Sequence, residues 1–112
     1  VNITQELDSL ISGLGLRVET GVFSGKAPEE YIVLTPLGDT FVFFADNRPE
    51  YETQEARLSL YSKGNYQATK RRLVKALLLA GFTITDRRYI GREDDTGYFH
   101  ATIDTQRLYE ME

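Results

Sequence analysis

One histidine, His100, is the only imidazole in the 112 residues. Imidazole catalysis needs a nucleophile within hydrogen-bond reach and a carboxylate to orient the ring. Zinc would need several nitrogen or sulfur ligands, and the chain has no cysteine. His100 stands in an alternating run, on the face opposite Phe99 and Ala101, and is read as a structural or surface histidine. Glu93-Asp94-Asp95 is the densest run of carboxylates. Paired carboxylates hold divalent cations or divide acid and base roles. Three consecutive loop residues point in different directions, and the spaced oxygen ligands and closing glutamate of a calcium loop are absent, so a solvated turn is expected. Together, His100 and Glu93–Asp95 define the enzymatic alternative, a small hydrolase.

Basic residues form the next constellation. Arg87, Arg88 and Arg92 lie on one arm of a candidate hairpin, and Lys70, Arg71, Arg72 and Lys75 lie on a candidate helix. Such groups grip phosphates when they converge. The neighbouring acidic triplet cancels much of that field, and complementary patches that dock identical subunits are at least as good a reading. A small nucleic-acid-binding module is the alternative. Gly21 to Gly25 with Lys26 lacks the GxxxxGK[ST] spacing of a phosphate loop, and no helix clearly follows it. It reads as a surface loop with Val22 and Phe23 as a contact tip or anchor. Seven tyrosines fit half-buried strand positions and protein interfaces alike.

The elements that position these groups follow from periodicity. Ile3, Leu7, Leu10, Ile11 and Leu14 share one helical face, with Asn2 as N-cap and Gln5 completing a capping box. Arg17–Thr20 reads as a short strand and Tyr31–Thr35 as a second, ended by Pro36 and a Gly38-Asp39 turn. Thr40–Asp46, with Phe41, Val42, Phe43 and Phe44, reads as a third strand covered on both faces. Asp46-Asn47-Arg48-Pro49 breaks it. Tyr51–Ser62 alternates, with Ala56, Leu58 and Leu60 facing inward and Arg57, Ser59 and Tyr61 outward. Tyr66–Ala80 is a helix capped by Asn65 and stopped by Gly81, burying Leu73, Val74, Leu77 and Leu78. Phe82–Ile90 and Tyr98–Tyr109 are strands around a loop at Gly91–Gly97, and Glu110–Glu112 is expected to fray. The predicted fold is a single α+β domain over 1–112, a two-layer sandwich with two helices on one face of a mainly antiparallel sheet, in the order α-β-β-β-β-α-β-β.

Composition narrows the setting. Hydrophobic residues make up 41% and charged residues 27%, a globular balance. The net charge of −4 lacks the basic footprint of a nonspecific nucleic-acid binder. The longest apolar run, Ala76–Ala80, is far short of a membrane span. No basic-then-apolar leader opens the sequence, and Val1 in place of methionine suggests a trimmed start, so synthesis in a cytoplasm is the expectation.

Three segments carry a family resemblance: Val18–Tyr31 (VETGVFSGKAPEEY), Ser59–Tyr66 (SLYSKGNY) and Thr83–Tyr98 (TITDRRYIGREDDTGY). Together they resemble the small head–tail joining, or tail completion, proteins in the neck of tailed phages and prophages of Gram-positive bacteria. The resemblance implies a non-enzymatic virion protein without cofactor or metal, made in the host cytoplasm. It implies assembly as a ring, commonly a hexamer, between connector and tail-tube proteins, with DNA passing through. Exposure logic, rather than any family motif, places the assembly contacts at Val22, Phe23 and Lys26 and at Arg87, Arg88, Arg92, Asp94, Asp95 and Tyr98.

Overall fold

Asn2 accepts a hydrogen bond from the Gln5 amide at 2.9 Å, and the Gln5 side chain accepts one from the Asn2 amide at 3.0 Å. This reciprocal cap satisfies two N–H groups that a helix start otherwise leaves open, and it starts α1 (Ile3–Gly13) where the sequence places it. The computed structural model describes residues 2–20, 28–43 and 49–111, with only the backbone at 43 and 49. Asn65 opens α2 (Tyr66–Leu79) in the same manner, accepting from the Ala68 amide at 3.2 Å. Gly81, at φ 92°, supplies the left-handed residue that turns the chain out of α2.

Five strands complete the fold: β1 (Val18–Thr20), β2 (Glu30–Phe43), β3 (Pro49–Ser62), β4 (Thr83–Arg92) and β5 (Phe99–Glu110). They form one sheet in the order β1-β2-β3-β5-β4. Among the described residues only the β1–β2 pair is parallel; the other pairs are antiparallel. The α+β class and the mostly antiparallel sheet agree with the sequence reading, but the element order is α-β-β-β-α-β-β. The two strands expected on either side of Pro36 and Gly38 are one strand. Among the described residues β1 reaches only as far as Leu34, so β2 continues there as an edge, where proline is tolerated, and a register shift between Pro36 and Gly38 absorbs the irregularity as a bulge rather than a turn.

Alternation along β3 decides which face is dry. Ala56, Leu58 and Leu60 are buried and meet Ile32 and Leu34 of β2, Ile103 of β5, Ile3, Leu7 and Ile11 of α1, and Leu73 and Leu77 of α2. One apolar cluster therefore lies between the sheet and both helices. Two helix expectations need correction. Val74 is only half-buried, and Leu78 is 59% exposed, because the buried stripe of α2 runs Thr69, Leu73, Leu77 at strict i+4 spacing and Leu78 lies about 100° further round.

The arm formed by β2 beyond Pro36 and β3 before Ala56 extends past the helices. Phe41, expected to be covered on both faces, is therefore 53% exposed. Glu110 and Met111 are pinned rather than frayed: Glu110 pairs with Tyr51, and the Met111 amide donates to the Glu50 carbonyl at 2.8 Å, while Glu112 lies outside the described residues. Asp46, Asn47 and Arg48, read as a polar break, lie outside the described residues. No helix among the described residues is long and apolar enough to cross a membrane.

Candidate interaction surfaces

The sheet face away from the helices is aromatic and polar. Registers Tyr31↔Tyr61 and Tyr61↔His100 set three rings side by side across β2, β3 and β5. Tyr31 and Tyr61 stack at 4.9 Å between ring centres, and Tyr61 and His100 stack at 4.3 Å. Tyr98 meets Tyr31 edge-on at 5.4 Å, and the Lys63 ammonium lies 4.8 Å from its ring centre. The Tyr98 hydroxyl donates to the Pro28 carbonyl, tying the hairpin to the start of β2. Beyond the intervening Ser59–Thr102 pair, Arg57 and Asp104 face each other and form a two-pronged ion pair at 2.8 and 3.0 Å.

This environment sets the ionisation of its members. Burial raises the pKa of Tyr31 and Tyr61, and nearby Glu93 adds to both. Burial also lowers the pKa of His100, opposed by Glu93 and assisted by Arg57. The imidazole is thus held neutral, and its Nε2 is buried with no hydrogen-bond partner among the described residues. Tyr61 and His100 were expected on the outer face, and they are there; their stacking and the Arg57–Asp104 pair were missed. The sequence signal was the alternation of β3 and β5, which gives each strand's faces but not the register between them.

The hairpin between β4 and β5 is closed by its own backbone. The Glu93 amide donates to the Tyr98 carbonyl at 2.8 Å, and the Gly97 amide donates to the Glu93 carbonyl at 2.7 Å. Gly97, at φ 80°, makes that return possible. Glu93 accepts from the Thr96 hydroxyl at 3.3 Å, Asp94 lies 3.5 Å from Arg92, and Asp95 is exposed. The acidic triplet is a turn, and the described residues contain no group of three His, Asp or Glu able to hold a metal ion.

The three hairpin arginines do not share a surface. Strand alternation puts Arg87 on the helix side, where it lines a groove with Lys70, Arg71 and Lys75 of α2. Arg88 points to the opposite face and pairs with Asp86 at 2.6 Å. Arg92 sits at the hairpin end, with its guanidinium 5.8 Å from the Phe99 ring. Arg72 also leaves the expected patch, donating to the Leu14 carbonyl at 2.8 Å and joining α2 to the end of α1. Tyr98, expected as an assembly contact, is buried within the chain. Val22, Phe23 and Lys26 lie outside the described residues.

The chain matches no protein-family model and no curated protein sequence.

Proposed function

We propose that the protein is a structural component of a phage neck, joining the tail to the head connector as one segment of a ring. The observation that carries this reading is that the sheet ends in two unlike edges. β4 is unpaired along its outer side, with Tyr89 and Ile90 exposed. Among the described residues, the β1 side of β2 has no strand partner beyond Leu34, and Leu37 and Phe41 are exposed. Unlike surfaces that recognise each other produce head-to-tail contacts, and such contacts close into rings when the rotation permits. The family resemblance supplies the sixfold order, the connector and tail-tube neighbours, and the passage of DNA without sequence-specific binding. The role is non-enzymatic and needs no cofactor.

Net charge adds a physical element. Each copy carries −4, and a lumen lined by carboxylates repels phosphates during DNA passage. A ring lined mainly by Arg and Lys would remove that element. Mass spectrometry and antibody labelling of purified virions test the function itself. The protein is expected at the head–tail junction, and its absence from particles would overturn the reading. Portal, head-completion and tail-tube genes beside its own are also expected.

A nucleic-acid-binding module is the second reading, favoured by the convergence of Lys70, Arg71, Lys75 and Arg87 on one groove. Fluorescence titration with a DNA duplex at two salt concentrations separates the two, because phosphate binding weakens steeply as salt rises.

A further inference from the structure

Two described surfaces of this chain carry opposite charge. The groove between α2 and β4 encloses about 490 Å³ and has Val74 and Leu78 in its wall, with Lys70, Arg71, Lys75 and Arg87 around them. The ion pairs among the described residues use Arg57, Arg88, Arg92 and Arg107, so none of the groove's four cations is neutralised by a carboxylate there. The far end of the sheet has the opposite character. Phe41 is paired with Glu52, so the two side chains share a face, and Asp39 and Glu50, two residues along each strand, fall on that face as well. It is the helix-side face, but α1 stops short of it. Phe41 is 53% exposed there, on the same face as the Asp39, Glu50 and Glu52 side chains.

We infer that the Asp39–Phe41 and Glu50–Glu52 face of one copy docks in the Lys70–Arg87 groove of the next copy, with Phe41 seated against Val74 and Leu78. Charge complementarity selects this occupant. A ring of cations around an apolar wall matches carboxylates that share a face with an aromatic side chain, and buried aromatic anchors carry much of the energy of protein interfaces. The two surfaces differ and lie on different parts of the molecule, so the contact is head-to-tail and leaves one groove and one arm free at the ends of any open chain of copies. The inference rests on the ring reading above and specifies its interface.

Zero-length carbodiimide coupling tests it, since the reagent joins a lysine to a carboxylate only when they touch. An equal mixture of ordinary and ¹⁵N-labelled full-length chain at about millimolar concentration distinguishes links between copies from links within one. Mixed-isotope links from Lys70 or Lys75 to Asp39, Glu50 or Glu52 are expected. Lys70→Glu/Lys75→Glu and Asp39→Lys/Glu50→Lys each place the charges at exposed or half-exposed positions. Each variant alone should lose links between copies at least tenfold, with an unchanged circular dichroism spectrum. Mixed together, the two variants should regain association, measured by sedimentation velocity, because each then offers the surface the other lacks. Links that join other surfaces, no links at all, or no rescue in the mixture would overturn the inference. A groove variant that loses binding to a DNA duplex while the arm variant changes nothing would assign the groove to nucleic acid and also overturn it. These outcomes are separate from those of the neck reading. Protein found at the junction of virions without arm-to-groove links defeats the interface alone; arm-to-groove links in a protein absent from virions defeat the neck role alone.

Discussion

Leu58 and Leu60 point to the helices and are fully shielded from water by aliphatic side chains, whereas Ser59 and Tyr61, their neighbours in β3, point the other way into a surface of stacked rings and ion pairs. The helix side holds by area. Its side chains are interchangeable in chemistry and are constrained by volume. The other side holds by geometry, because ring stacking and a two-pronged ion pair work only when the strands are in one register. A one-residue slip of β5 would separate Tyr61 from His100 and Arg57 from Asp104 together. The dry face therefore supplies most of the stability, and the aromatic face adds specificity of register.

The largest test of that contrast is on the dry side. Leu58→Ala should cost about 2–5 kcal/mol in urea unfolding, the usual range for a buried leucine that leaves a cavity. A loss below about 1 kcal/mol would erase the distinction between the faces. Next is Arg57→Ala, which strands Asp104, whose side chain is 11% exposed. A charge left without its partner in such a position costs about 1–3 kcal/mol. Arg57 itself is 42% exposed, so the low end is expected. A double-mutant cycle with Asp104→Asn measures the coupling. Tyr61→Leu keeps an apolar side chain but loses both stacks, and should cost about 0.5–1.5 kcal/mol beyond any change in buried area.

The smallest effect is the pH dependence assigned to His100. Burial lowers its pKa in the folded protein below the unfolded value of about 6.5. Between those two values the unfolded chain binds more protons, so stability falls as pH drops through about 6.5 and levels off below the folded pKa. As the sole histidine, His100 gives one titration curve by NMR. Its midpoint should lie below 6.5, and His100→Phe should remove the corresponding slope in stability. A midpoint at or above the ordinary value would show that Glu93 outweighs burial and would make this face the wetter of the two.

Local features were the legible part. The Asn2–Gln5 cap, the Asn65 cap and the alternation of Ala56, Leu58 and Leu60 are set by residues within a turn or a strand of one another, and sequence spacing reports them directly. Pro36 misled because its tolerance depends on β1 ending at Leu34, a fact of another strand. Leu78 misled because α2 buries a narrow stripe, and the width of a stripe depends on what it packs against. For the surfaces, alternation correctly put Tyr61 and His100 outward, but their contact is set by the β3–β5 register. Arg87, Arg88 and Arg92 were grouped by nearness in sequence, and the pleat of β4 sent them to different places.

The placement of β3 at the middle of the sheet carries a consequence for synthesis. β3 pairs with β2 through a neighbouring stretch of chain, but its other partner, β5, is made only after α2 and β4, with Tyr51 waiting for Glu110. Until β5 emerges from the ribosome, the hydrogen-bonding edge of β3 is open, and its leucines lack the cover of Ile103. Early termination or clipping before Phe99 would leave a nascent hairpin with a long unpaired edge, the form most prone to stick to other chains. Correct folding is thus tied to synthesis of β5, and a chain that stops short of it cannot finish the sheet.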